Sequence, residues 1–211
     1  MFRKKYKNKQ KHQTLMKILV VDLETTSLDP TIDDIWNLEN SIISEIGIVK
    51  LDLETGKIEP VFDSVCREDK TCSAQSWIFG NSSFTHEDVL SADHFQMFKD
   101  ELQEIFDQDY ATSWWHEYDF NRLEHPSRGI RIQYKFWDPA ITLIPYLKIP
   151  FPNGTGLKRP KVDEAYRYFN PGRILDHPHR ALKDAQIEAQ MIFLAVQKWP
   201  ELKNNWEHYI S

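Results

Sequence analysis

The sequence predicts an α/β protein, a central mixed β-sheet flanked by α-helices, and three observations carry the prediction. Short apolar or alternating runs come first, helical and strand patterns then alternate, and the last long segment carries one apolar stripe at helical spacing. No internal repeat points to a solenoid or an array.

Lys17 to Asp22 reads as a buried strand, because Ile18, Leu19, Val20 and Val21 form a continuous apolar run too short for a helix. Ile42 to Leu53 is the next strand, with Ile46, Ile48 and Leu51 interspersed with Glu45, Lys50 and Asp52. Glu54-Thr55-Gly56-Lys57 supplies a turn, and Ile58 to Cys66 completes an antiparallel hairpin. Thr85 is an N-cap before an acidic first turn, and a helical pattern follows through Phe95, Phe98, Leu102 and Phe106. Tyr110 to Trp115 is expected as a strand, Tyr118 to Leu123 as the start of a helix, and Ile130 to Trp137 as another strand. Helices are expected over Pro139 to Leu147 and Val162 to Phe169. The final helix is the clearest: Ala185, Ala189, Ile192, Val196 and Trp199 follow 4-3-4-3 spacing, and the alanines permit close approach to a sheet.

At 211 residues the chain fits one well-cored domain, expected over 16–211. Residues 1–15 carry Arg3, Lys4, Lys5, Lys7, Lys9 and Lys11 and no acid, and are expected to be a solvated, disordered tail, with a tether to nucleic acid as the functional reading. Without those six positives, 20 basic residues face 32 acids, so the body sits near −12 rather than the −6 of the whole chain. Such a body does not coat nucleic acid non-specifically; a polyanion has to be met by local basic patches or bound cations. Cys66 and Cys72, with no signal-peptide pattern and no cysteine framework, are expected to be reduced thiols of a cytoplasmic protein. No run of 18 apolar residues exists to span a membrane.

In LVVDLETTSLD the strand pattern sets Asp22 and Glu24 on one face, since side chains of a strand alternate. Two carboxylates beside a buried strand repel, and one must hold a proton unless a divalent cation lies between them; Mg²⁺ is the hard, oxygen-preferring choice. A lone D-x-E also marks the solvent end of many edge strands, so further acids decide the matter. Asp184 stands near the start of the final helix, beside Ala185, and His179 precedes it by five residues in HPHRALKD. His177 competes with His179 and is expected to be a loop residue. Asp119 follows the strand pattern ATSWW and enters YDFNRL, where an N-cap role is equally open. Asp29, Asp33, Asp34 and Asp138 read as surface acids or caps.

The stretches ILVVDLETTSLD, ISEIGIVKLDLETGKI, FTHEDVLSADHFQMFKDEL, SWWHEYDFNRLE and HRALKDAQIEAQMI together resemble the DEDDh 3′→5′ exonucleases, the group that includes the proofreading subunit of bacterial DNA polymerase III and ribonuclease T. The resemblance covers about residues 17 to 196. It implies a ribonuclease H-like fold, two Mg²⁺ or Mn²⁺ ions, Asp22, Glu24, Asp119 and Asp184 as the four metal-binding acids, and His179 as general base. It further implies that Asp22 bridges both ions, that Glu24 and Asp184 help hold the ion of the nucleophilic water, and that Asp119 acts largely through water. The implied reaction releases nucleoside monophosphates from single-stranded 3′ ends of DNA or RNA. Thr25, Leu28, Trp114, Trp115 and Tyr118 are the candidate substrate contacts, with core packing as the competing explanation for the aromatics. Lys158, Arg159 and Lys161 are candidate backbone contacts.

The chain departs from the family pattern at Trp115, where an Asn is common, and in a longer DPTIDDIWNLENS segment after the first motif. A non-catalytic nucleic-acid-binding or scaffold module and a ribonuclease H-like endonuclease remain the alternatives. A homodimer or a larger nucleic-acid-processing complex is the assembly to test for; no membrane partner is expected.

Overall fold

The computed structural model describes residues 17–203 except 33 and 35, so the basic segment 1–15 and Asp33 lie outside the described residues. Four strands form one mixed sheet: β1 (Lys17–Ser27), β2 (Ser41–Asp52), β3 (Ile58–Val65) and β4 (Tyr110–Thr112) stand in the order β3-β2-β1-β4. β1 runs antiparallel to β2 and parallel to β4. The helices are α1 (His86–Ser91), α2 (Lys99–Gln108), α3 (His116–Leu123), α4 (Pro139–Thr142), α5 (Ile144–Leu147), α6 (Val162–Phe169) and α7 (Ala181–Lys198).

β1 is buried on both sides, which is why its apolar run does not alternate. Ile18 and Val20 pack with Val49, Leu51, Ala185, Ala189 and Ile192, the α7 side; Leu19, Val21 and Leu23 pack with Leu102, Phe106, Phe120 and Leu123, the α2 and α3 side. Asp22 and Glu24 continue the first of these faces and so belong to the side that α7 covers. The expected caps and turns are present: Thr85 and Asp88 form a reciprocal capping box on α1, and Asp52 accepts the amides of Glu54 and Thr55 in the hairpin turn. Cys66 and Cys72 are buried free thiols. No described helix is long and apolar enough to cross a membrane.

Five expectations need correction, the first being the helical pattern from Thr85 through Phe106, which is broken into α1, a 3-10 turn at Phe95–Met97 and α2. β1 runs on to Ser27, so Asp22 and Glu24 lie within the strand rather than at its end. The strand expected over Ile130 to Trp137 is reduced to a single parallel bridge, Ala111 with Lys135. β4 offers only three residues to pair with, and side chains take the preceding amides: Gln103 Oε1 accepts from Arg131 N at 2.9 Å and Glu124 Oε1 from Ile132 N at 3.2 Å. β4 itself stops at Thr112, and Trp115 becomes the cap of α3, which starts at His116 instead of Tyr118. Pro139 to Leu147 forms two short helices, with Pro139 and Pro145 in their first turns.

Candidate active site

The β1–β2 pairing seats α7. Glu24 is opposite Glu45 but Thr25 is opposite Ile43, so Ser44 is the extra residue of a bulge, and its hydroxyl donates to the Glu24 carbonyl at 3.0 Å. Asp22 is opposite Gly47, and directly opposed residues share a face. A Cβ at Gly47 would stand 2.2 Å from the backbone of Ala181 and Leu182, so only glycine lets the first turn of α7 rest on the sheet there. Glu45, fully buried, fixes the same turn: it accepts from Ala181 N at 2.9 Å, from Arg180 Nε at 2.7 Å and pairs with Arg180 Nη2 at 2.6 Å. One turn on, Asp184 lands beside Asp22 and Glu24.

Oxygens of Asp22, Glu24 and Asp184 lie within 4.8 Å of one another, although 160 residues separate the last two. Asp119, on the first turn of α3, stands outside that trio but lines the same cavity as Asp22. Burial holds the Asp22 carboxyl well above its usual range, with Glu188, Glu24, Asp119 and Asp184 adding repulsion. Glu24 is pushed up to about 9, by burial first and then by Asp184 and Glu45. Burial raises Asp119 to about 7 despite the Ser113 side chain, Arg122 and the Leu23 amide, which favour its charged form. Among the described residues, buried Asp184 Oδ1 has no hydrogen-bond partner. A buried carboxylate oxygen left unpaired is costly, and an all-oxygen donor set of this kind suits Mg²⁺ or Mn²⁺. The residues present therefore fit a divalent cation.

Both histidines reach the site. His177 Nε2 is 3.3 Å from Asp184 Oδ2, and the two imidazole centroids are 4.3 Å apart. The expectation that His177 is only a loop residue is thus incomplete: it sits in a loop, but that loop folds over Asp184. The contact with Asp184 raises the His177 pKa, whereas burial and His177 lower that of His179. His179 adopts a left-handed backbone (φ 49°), and its ring packs T-shaped with that of Trp77, centroids 4.9 Å apart.

The cavity holds about 570 Å³, and Trp77, Trp114, Trp115 and Tyr118 line it together with Asp22, Asp119, Glu188, His177 and His179. Trp114 is buried, donating its indole N–H to Pro160 O at 2.9 Å. Trp115, in the position where Asn is common, stacks on Trp36 of the long segment after β1, with centroids 5.8 Å apart and planes 12° apart. Tyr118 OH is 2.7 Å from Thr25 Oγ1, and Arg122 lies over its ring at 3.6 Å. Leu28 is not among the cavity residues; it packs against the Ile42, Ile78 and Phe84 cluster. Lys158 and Arg159 are paired with Glu164 and Glu117, while Lys161 lines the cavity. Asp29 and Asp34 accept the amides of Thr31 and Trp36 in exposed turns; Asp138 caps α4 but is buried, not at the surface.

Sequence reasoning missed Trp36, Trp77 and Glu188. Glu188 is buried on α7 four residues after Asp184, and its Oε2 accepts from Trp114 N at 3.2 Å. That spacing, on the face marked by Ala185 and Ala189, was the available signal. Nothing in the sequence marked Trp77.

The profile of the exonuclease family matches residues 19–192. The chain belongs to the exonuclease family. Its enzyme class, a hydrolase acting on nucleic-acid ends, comes with that membership. No curated protein sequence matches the chain. Among solved structures it is similar to a full-length 3′-exonuclease (TM-score 0.64, 16% identity, 87% of this chain and 61% of that one). It is also similar to the nuclease domain of 3′hExo, a DEDDh family member bound to rAMP (TM-score 0.63, 15% identity, 88% and 94%). A third similar structure is E. coli Exonuclease I with a 5cy-dA13 oligonucleotide (TM-score 0.59, 15% identity, 90% and 42%). The chain thus spans about three fifths of the first and under half of the third. The exonuclease has the ribonuclease H-like fold that the sequence resemblance implied.

Proposed function

We propose that this exonuclease removes nucleoside monophosphates from the 3′ ends of single-stranded DNA or RNA, in a reaction dependent on two Mg²⁺ or Mn²⁺ ions. One observation carries the reading: oxygens of three carboxylates, from a central strand and a distant helix, converge within 4.8 Å, and among the described residues buried Asp184 Oδ1 has no hydrogen-bond partner. Bound there, divalent cations supply positive charge against the scissile phosphate and acidify a water.

The chain's own residues do the rest. Asp22, Glu24 and Asp184 hold the cations, and Asp119, which lines a cavity with Asp22, acts through water. His179 accepts the proton of the attacking water as general base; its lowered pKa keeps the imidazole neutral at pH 7 and able to do so. His177 engages Asp184 and orients it. Trp77 and Trp115 offer flat faces for unpaired bases at the cavity, and Thr25 with Tyr118 braces the wall behind them. The rAMP and the oligonucleotide bound by two of the similar proteins are consistent with a single-stranded end in this cavity.

The test is a 5′-labelled single-stranded oligonucleotide, DNA and RNA in parallel, incubated with Mg²⁺ or Mn²⁺. Stepwise shortening from the 3′ end with release of monophosphates is expected. Internal cuts would favour an endonuclease, and no reaction in either ion would favour a binding module.

A further inference from the structure

Glu188 has no role in the function proposed above, yet it is one of the most enclosed acids among the described residues, 3% exposed. It projects from the same face of α7 as Asp184, one turn on, and lines the cavity with Asp22 and Asp119. Its Oε2 accepts the Trp114 amide at 3.2 Å, which fixes the carboxylate in the wall of the cavity that Asp22 also lines. Buried ionised carboxylates that face one cavity repel unless a proton or a cation lies between them. Arg180 is held by Glu45, Arg159 by Glu117, and Arg122 lies over the Tyr118 ring, while Lys161 lines the cavity with Glu188. A second observation points the same way, since Asp184 Oδ1, on the same helical face, is buried and has no hydrogen-bond partner among the described residues.

We infer that Glu188 is a fifth carboxylate of the cation site, engaging a divalent ion on its Asp22 side while its other oxygen stays on the Trp114 amide. The inference rests on the proposed reading of Asp22, Glu24 and Asp184 as metal-holding residues. A buried acid serving only to accept the Trp114 N–H would need no charge, because a glutamine oxygen accepts that hydrogen bond equally well.

That difference supplies the experiment. Mn²⁺ binding to the whole chain, without nucleic acid, is measured by electron paramagnetic resonance of the free ion for the wild type, Glu188→Gln, Glu188→Asp and Asp22→Asn. Glu188→Gln is expected to bind Mn²⁺ about tenfold or more weakly, the scale on which supporting groups act at metal sites. Glu188→Asp keeps the charge and retains most of the affinity, and Asp22→Asn loses binding. Wild-type affinity in Glu188→Gln, with Asp22→Asn defective, overturns this inference and leaves the site reading standing. Wild-type affinity in both variants overturns the two together. Should Glu188→Gln fail to fold by circular dichroism, a folded Glu188→Ala chain with wild-type Mn²⁺ affinity would overturn the inference.

Discussion

Replacing Gly47 by alanine tests whether the β1–β2 register places the catalytic end of α7. The added Cβ would lie 2.2 Å from Ala181 C and Leu182 N and 2.4 Å from Ala181 O, all backbone atoms, whereas ordinary contact begins at 3.4 Å. The first turn of α7 therefore has to retreat by about 1 Å, a shift that at a reacting centre costs on the order of a hundredfold in rate. Glu45 resists the retreat through its hydrogen bonds to Ala181 N and Arg180, so part of the strain stays in the fold. Overpacking of this kind costs about 1–3 kcal/mol, which for a domain of this size lowers Tm by roughly 3–10 °C. The assay pairs kcat on a labelled oligonucleotide at saturating Mg²⁺ with a thermal melt. Gly80→Ala is the control, since a Cβ there meets nothing within 4 Å. A Gly47→Ala chain with wild-type kcat and Tm would refute the reasoning.

Three further outcomes follow from the site. Without metal, Glu24 and Asp119 hold protons in the folded state up to about 9 and about 7, against ordinary values of 4.5 and 3.8. The folded chain then binds more protons than the unfolded one, so stability present at low pH is lost as pH rises through that window; Tm in EDTA is expected to fall from pH 5 to pH 9 and Mg²⁺ to flatten the slope. A flat or rising metal-free profile would contradict it. Trp115→Ala removes a face that stacks on Trp36 and lines the cavity, and is expected to raise KM about tenfold or more with little change in kcat, as for loss of one stacked base; an unchanged KM argues for a purely structural tryptophan. His179→Ala is expected to lower kcat by about 10²–10⁴ with Mn²⁺ binding retained, and His177→Ala by far less; undiminished hydrolysis at neutral pH in His179→Ala removes it as the base.

The parts of this site visible in the sequence are those that lie on strongly patterned elements. Asp22 and Glu24 sit on a four-residue apolar run, and Asp184 on a helix with a clear alanine stripe, so periodicity alone told which faces they share. The bulge at Ser44 was not legible, because one residue out of register leaves no mark in an apolar run such as Ile42 to Ile48. Gly47 and Glu45 read as ordinary strand residues, and only the docked helix reveals why one lacks a side chain and the other is charged. The Ile130 to Trp137 pattern misled, since alternation reports burial and not a paired backbone; there, Gln103 and Glu124 take the amides that a neighbouring strand would have taken. His177 and His179 were separated by spacing to Asp184, but a loop has no fixed period, and both rings fold onto the same acid.

A crystal of the chain grown with Mn²⁺ and examined for anomalous scattering addresses the central proposal most directly. The account predicts Mn²⁺ among the carboxylates of Asp22, Glu24 and Asp184, with oxygens about 2.1 Å from the ion, as for the octahedral cations of such sites. Density for those side chains without an anomalous peak between them, at millimolar Mn²⁺ and neutral pH, would contradict it.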